Sequence, residues 1–123
     1  AALARPGLPL FCVMGDGGVR PYAAEIALAV EAGLPICFLL MSDGRYGSVV
    51  GASKPGEYSE RAVNVTRQSW PETAEAMGCP ALTVESGSEL GAALAAWDRS
   101  GPLFLETRFD PCRYAAMTGR VRL

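Results

Sequence analysis

Two stretches decide the reading: Leu8-Pro-Leu-Phe-Cys-Val-Met-Gly-Asp-Gly-Gly18 and Pro35-Ile-Cys-Phe-Leu-Leu-Met-Ser-Asp-Gly44. In each, a nearly continuous apolar run ends in a short acidic turn that contains glycine. Strands covered on both faces need such continuity, and they belong to parallel sheets. Pro21 to Gly33, between the two runs, reads as a helix that starts near Pro21, which makes the segment a βαβ unit. The expectation is an α/β fold with a doubly wound, mainly parallel sheet. Its central strands fall near 8–14, 35–41, 80–84 and 102–108, with Asp16 and Asp43 exposed together at one edge.

In open α/β sheets ligands bind outside the carboxyl ends of the strands. A carboxylate at the tip of each of two neighbouring strands suits a hard divalent cation. Mg²⁺ takes oxygen ligands in octahedral geometry at about 2.0–2.1 Å and leaves positions open for phosphate oxygens. The glycines around Asp16 let backbone N–H groups approach an anion with no Cβ in the way. The following helix adds unpaired N–H groups and a partial positive charge. Cation, diphosphate and helix end would then share one pocket.

Gly-Asp-Gly, a helix, Ala29-Val-Glu-Ala-Gly-Leu-Pro35, an apolar strand, two polar residues and Gly44-Arg-Tyr-Gly47 resemble a known domain. It is the diphosphate-binding domain of thiamine-diphosphate (ThDP) enzymes of the acetolactate synthase and benzoylformate decarboxylase type. In that family the motif ends in an Asn-Asn pair whose second Asn lies 27 positions after the Asp. Asp43 stands 27 positions after Asp16, with Ser42 before it, so the spacing agrees and the residue types differ. The similarity continues through Ala74-Glu-Ala-Met-Gly-Cys79, Ser88-Glu-Leu-Gly-Ala-Ala-Leu94 and Gly101-Pro-Leu-Phe-Leu-Glu-Thr107.

The resemblance implies that Asp16 and Asp43 supply side-chain oxygens to Mg²⁺ and Arg45 its backbone carbonyl. It places Gly15, Gly17, Gly18, Tyr46 and Gly47 by the ThDP diphosphate, with Pro21 at the start of the helix pointing to it. Asp in place of Asn would hold the cation well and repel the diphosphate, and Ser42, shorter than Asn, would leave a hydrogen bond unmade. The implied function is the cofactor-anchoring half of a ThDP-dependent 2-oxo acid decarboxylase or carboligase, acetolactate synthase first among them. The glutamate that activates the cofactor lies on a partner pyrimidine-binding domain. This chain would therefore hold no catalytic residue, would not turn over alone, and would work in a homo-oligomer. The alternative is a degenerate ThDP-fold module serving assembly. A phosphotransfer domain with a nucleophilic Asp and a Lys partner is disfavoured, because Lys54 is the one lysine.

The 123 residues, half of them apolar and 20% charged, form one domain with a real core, read as residues 1–123 of a longer polypeptide. A preceding strand and helix would belong to such a domain, and their loss would leave apolar surface that drives association. A net charge of −2 without a basic stripe argues against nucleic acid. No apolar run reaches the roughly 18–20 residues that cross a membrane. Histidine is absent, which excludes Ser-His-Asp triads and HExxH zinc sites in these residues. Cys12, Cys37, Cys79 and Cys112 are scattered without a CxxC pair, and they read as small hydrophobes in a reducing, cytoplasmic setting.

Beyond the second strand, Gly44 to Thr66 lacks a steady period and reads as a long active-site loop, with a short helix near 46–51. Ser69-x-x-Glu72 with Pro71 is a capping box opening a helix with Trp70, Ala74 and Met77 on one face, ended by Gly78. Ser86-x-x-Glu89 caps a second helix carrying Leu90, Ala93, Leu94 and Trp97 at i, i+3, i+4 and i+7. Both tryptophans read as core. Asp110-Pro111 ends the last strand, and Tyr114 and Met117 mark a short terminal helix. Arg20 stands where GxGxxG needs glycine, so a dinucleotide site is not expected; Arg20 itself is either a phosphate contact or a solvated residue. Glu25 reads as a solvent-facing carboxylate.

Overall fold

The computed structural model describes residues 1–5, 7–52, 57–66 and 68–110. Lys54, Cys112 and the terminal helix expected around Tyr114 and Met117 lie outside the described residues. After a single 3-10 turn at Ala2–Ala4 come β1 (Leu10–Gly15), α1 (Asp16–Tyr22), α2 (Glu25–Glu31) and β2 (Ile36–Ser42). They are followed by α3 (Gly47–Ala52), α4 (Glu60–Val63), α5 (Trp70–Ala76), β3 (Ala81–Val84), α6 (Gly87–Ala96) and β4 (Leu103–Arg108). The strands form one parallel sheet in the order β1-β2-β4-β3.

Helices cover both faces, as the apolar runs require. On one face Val19, Ile26 and Ala29 of α1 and α2, with Trp70 and Ala74 of α5, pack on Phe38, Leu40 and Phe104. On the other, Leu90, Ala93, Leu94 and Trp97 from α6 and its end pack on Cys37, Leu39, Leu103 and Leu105. Trp70 is buried. Trp97 is half-buried, meets Phe11 edge to face at 6.2 Å, and donates its indole N–H to the Gly101 carbonyl at 2.9 Å. Burial pushes the Cys37 and Cys79 thiols up to about 11, which keeps them neutral and suits their place in the core.

Only β2 and β4 are central; β1 and β3 are the edges of the described sheet, a correction to the reading of all four runs as central. β1 alternates between half-buried and exposed, with Phe11 52% and Val13 62% exposed. Its apolar outer face is not covered as continuity alone implied, because α6 packs on β2 and β4, and Trp97 at its end meets Phe11 edge to face.

The first helix departs from expectation too. α1 begins at Asp16, directly after β1, and Pro21 lies near its end, exposed. The ring leaves no N–H at that position, and the chain restarts as α2 at Glu25. Pro21 therefore marks a break between helices instead of a helix start. Glu25 is exposed, as read. The 44–66 segment contains α3 where a short helix was expected, and also α4. Ser86 caps α6 by accepting the Glu89 N–H at 3.2 Å, whereas Ser69 makes no side-chain cap bond to α5. Gly78, just past α5, has φ +83, the left-handed conformation that a helix-ending glycine supplies.

Candidate cofactor site at the carboxyl ends of β1 and β2

Parallel register brings the two acidic turns together. Every β1 residue pairs with the β2 residue 26 positions later, so the residue in line with Asp16 is Ser42, and Asp43 follows. The Ser42 hydroxyl donates to Asp16 Oδ1 at 3.2 Å. The Asp43 and Gly44 N–H groups donate to Asp16 Oδ2 at 2.9 and 3.0 Å. Gly44, with φ +75, turns the chain back, and Asp43 Oδ1 accepts the Arg45 N–H at 2.9 Å, the local bond by which Asp stabilises a turn. Ser42, though shorter than Asn, thus reaches Asp16.

Both acids are buried, Asp16 at 3% and Asp43 at 6% exposure, and this overturns their expected exposure. The tips sink because α1 starts on one side of them and the described residues of 44–52 and 57–66 lie over the other. Tyr46 N–H donates to the Val63 carbonyl at 2.8 Å, Val65 N–H to Gly44 at 2.9 Å, and Arg45 bridges to Asn64. Arg20 is exposed and donates to the Thr66 carbonyl at 3.2 Å, so it ties α1 to the end of that segment. Burial raises the Asp43 carboxyl above its ordinary range; the Arg45 N–H opposes this, and the neighbouring Asp16 carboxyl adds to it.

A cleft of about 390 Å³ opens at this place, lined by Gly15, Asp16, Gly17, Gly18, Asp43, Arg45, Tyr46 and Gly47. Of the residues assigned to cofactor or metal in the sequence, Pro21 is absent from it, as are Arg20 and Ser42. Val13, Met14, Met41 and Ser48 also line it and were not foreseen. The outward side chain of β1 at 13 and the position after Gly47 could have been found from strand alternation and motif continuation. Tyr46 lies over the first turn of α1: a Cβ on Gly17 would come within 3.0 Å of its ring. A slightly larger groove, about 460 Å³, sits at the opposite, amino end of β3 and β4 around Trp97 and Pro102. Its one acid, Asp98, already accepts from the Ser100 N–H and hydroxyl, so it offers no comparable set of donors.

The residues in the first cleft fit a hard cation beside an anion. Asp16 Oδ2 is filled by two N–H donors, while Oδ1, with one hydroxyl, keeps a lone pair. Asp43 keeps further acceptor capacity beside it. No three His, Cys, Asp or Glu side chains converge among the described residues, so the two aspartates would be joined by oxygens of another kind, and a backbone carbonyl is the role expected of Arg45. Gly15 has open space where a Cβ would stand, and Gly17 and Gly18 lie in the first turn of α1, where N–H groups lack intrahelical partners.

Comparison with known proteins identifies the class of domain. The family model for the thiamine pyrophosphate enzyme, C-terminal TPP binding domain, matches residues 1–107, and the chain belongs to that family. It is 30% identical to the mitochondrial acetolactate synthase catalytic subunit of Saccharomyces cerevisiae, over 89% of this chain and 16% of that protein. It is 29% identical to the acetolactate synthase of Bacillus subtilis, over 89% of this chain and 20% of that one. The fold superposes with a TM-score of 0.76 on the thiamine diphosphate-dependent 4-hydroxybenzoylformate decarboxylase of Rhodococcus jostii RHA1, at 25% identity, covering 89% of this chain and 21% of that one. The chain thus spans about a fifth of the length of the relatives it matches. No helix among the described residues is long and apolar enough to cross a membrane.

Proposed function

We propose that this chain is the Mg²⁺-diphosphate-anchoring domain of a ThDP-dependent 2-oxo acid decarboxylase or carboligase of the acetolactate synthase kind, acting in the cytoplasm. The observation that carries this reading is the joining of Asp16 and Asp43 at the tips of adjacent strands, with the Asp43 N–H on Asp16 Oδ2. Asp16, Asp43 and the Arg45 carbonyl would hold the cation. Gly15, Gly17, Gly18, Tyr46 and Gly47 would surround the diphosphate. When bound, the cofactor supplies the carbanion chemistry that a protein side chain cannot. The chain's own residues bind and orient: the Ser42–Gly44 donors fix the Asp16 carboxylate, and Tyr46 bounds the cleft above α1.

In this reading activation of the cofactor falls to a pyrimidine-binding partner domain. The exposed outer face of β1, with Phe11 and Val13, supports association within a larger assembly, a homo-oligomer acting on a 2-oxo acid. Calorimetric titration with ThDP, with and without Mg²⁺, tests the reading on the full protein. Saturable binding that requires the divalent cation is expected. Absence of binding at millimolar cofactor and cation would leave the degenerate assembly module as the better reading.

A further inference from the structure

We propose that this site takes its divalent cation first, without the diphosphate, so that the cofactor docks onto a cation already held by Asp16 and Asp43. The inference rests on the reading that these residues hold the cation. The family match to a TPP-binding domain points independently to a diphosphate-bearing ligand for this chain.

The argument is one of charge. Two carboxylates, both more than nine-tenths buried, adjoin each other through the Asp43 main chain. Every donor they receive is neutral: the Ser42 hydroxyl and the N–H groups of Asp43, Gly44 and Arg45. The Arg108–Glu106 ion pair of the fold lies elsewhere, in β4. Arg20, on the adjoining helix, is exposed and spends a guanidinium N–H on Thr66. Arg45 meets Asp43 through its backbone, and its side chain is exposed. Two buried carboxylates without a cationic partner are costly to ionise together; a proton relieves one of them, whereas a divalent cation from solvent offsets both while both stay ionised.

The geometry is also in place before any ligand arrives. Asp16 is fixed by three donors that leave one lone pair on Oδ1, and Asp43 is fixed by its own turn. A hard cation entering here keeps water at its remaining octahedral positions, and diphosphate oxygens later replace those waters. A site bearing one carboxylate would rely on the diphosphate for the balance of charge. Here the second carboxylate takes that place, so cation affinity is decoupled from the cofactor.

Mn²⁺, detected by the loss of its free-ion electron paramagnetic resonance signal, is the probe, applied to the full protein with and without ThDP. Without cofactor, saturable Mn²⁺ binding at one site is expected, displaced by excess Mg²⁺. ThDP should tighten it less than fivefold. Asp43→Asn should weaken cofactor-free Mn²⁺ binding at least tenfold and enlarge the enhancement by ThDP, which linkage makes reciprocal. Circular dichroism confirms that the variant is folded. If Mn²⁺ binds only together with ThDP, and equally in wild type and Asp43→Asn, the cation-first order is overturned while the anchoring function stands. If neither binds in any combination, the anchoring function itself fails.

Discussion

The sheet buries carboxylates in two places and treats them oppositely. Glu106, in the central strand β4, is fully buried, and its Oε2 accepts Arg108 Nε at 3.2 Å, Arg108 Nη2 at 2.9 Å and the Thr83 hydroxyl at 3.3 Å. It carries its counter-ion two residues along its own strand, on the same face by the period of two. Asp16 and Asp43, at the tips of β1 and β2, receive neutral donors alone. The first arrangement is closed within the chain, although Glu106 Oε1 finds no hydrogen-bond partner among the described residues. The second is ordered in position and open in charge. Burial of an acid therefore does not distinguish structure from function in this fold; the presence or absence of a fixed cation does.

The sharpest way to break that contrast is Arg108→Met, which removes the counter-ion and leaves Glu106 buried. Stranding one member of a buried pair costs about 3–5 kcal/mol, and the lower end, about 3 kcal/mol, is expected because the Arg108 side chain is 35% exposed. Urea unfolding in EDTA measures it. A loss below about 0.5 kcal/mol would show that Glu106 is not held by Arg108, and the contrast would collapse.

At the other site the same operation has the opposite sign. Asp43→Asn removes one of two adjacent charges and should stabilise the metal-free protein by about 1 kcal/mol. Like charges at close range repel by about 1 kcal/mol in water and about 4 at an effective dielectric near 20, and the amide oxygen of Asn still accepts the Arg45 N–H that holds the turn. Saturating Mg²⁺ should reverse the ranking, since wild type then gains more from the cation. The pH dependence follows from the raised Asp43 carboxyl. A group whose folded pKa lies above its unfolded value contributes stability that is fully present below the unfolded value and is lost as pH rises through the folded one. The advantage of Asp43→Asn in EDTA should therefore be seen at pH 7 and fade toward pH 4. A variant that is destabilised in EDTA at pH 7 would mean that Asp43 is a structural acid like Glu106.

Much of this was legible in the residues, and the exceptions have particular causes. Leu10–Gly15 and Ile36–Ser42 are strands because their apolar runs leave no other burial pattern, and the spacing from Asp16 to Asp43 joins the acids because a parallel register carries it across. The Ser86 cap followed from Ser-x-x-Glu. What was not legible is tertiary. Apolar continuity cannot tell a central strand from an edge one whose outer face awaits cover, so β1 was misplaced. A proline can open a helix or end one, and at Pro21 the start was already taken by Asp16. Ser42 is short, yet the register sets its hydroxyl in line with Asp16. The Glu106–Arg108 pair was within reach of the period-two rule but lay inside a run read for its apolar neighbours.

Thr83 offers the finest test of how closed the Glu106 site is. Its hydroxyl reaches Oε2 from the edge strand β3, at 3.3 Å, where Arg108 already provides two shorter bonds. Thr83→Val keeps the β-branched shape that suits a strand and deletes the donor alone. A long hydrogen bond to an oxygen with other partners should cost about 0.5 kcal/mol, near the bottom of the usual range. In an Arg108→Met background the same change should cost more, by about 1 kcal/mol, because Thr83 is then the last donor to a buried carboxylate. That coupling, read from a double-mutant cycle in urea, is the measure of closure. A coupling near zero would mean that the Thr83 hydroxyl does not serve Glu106, and that the arginine alone separates the buried acid of β4 from the cation-seeking pair at the strand tips.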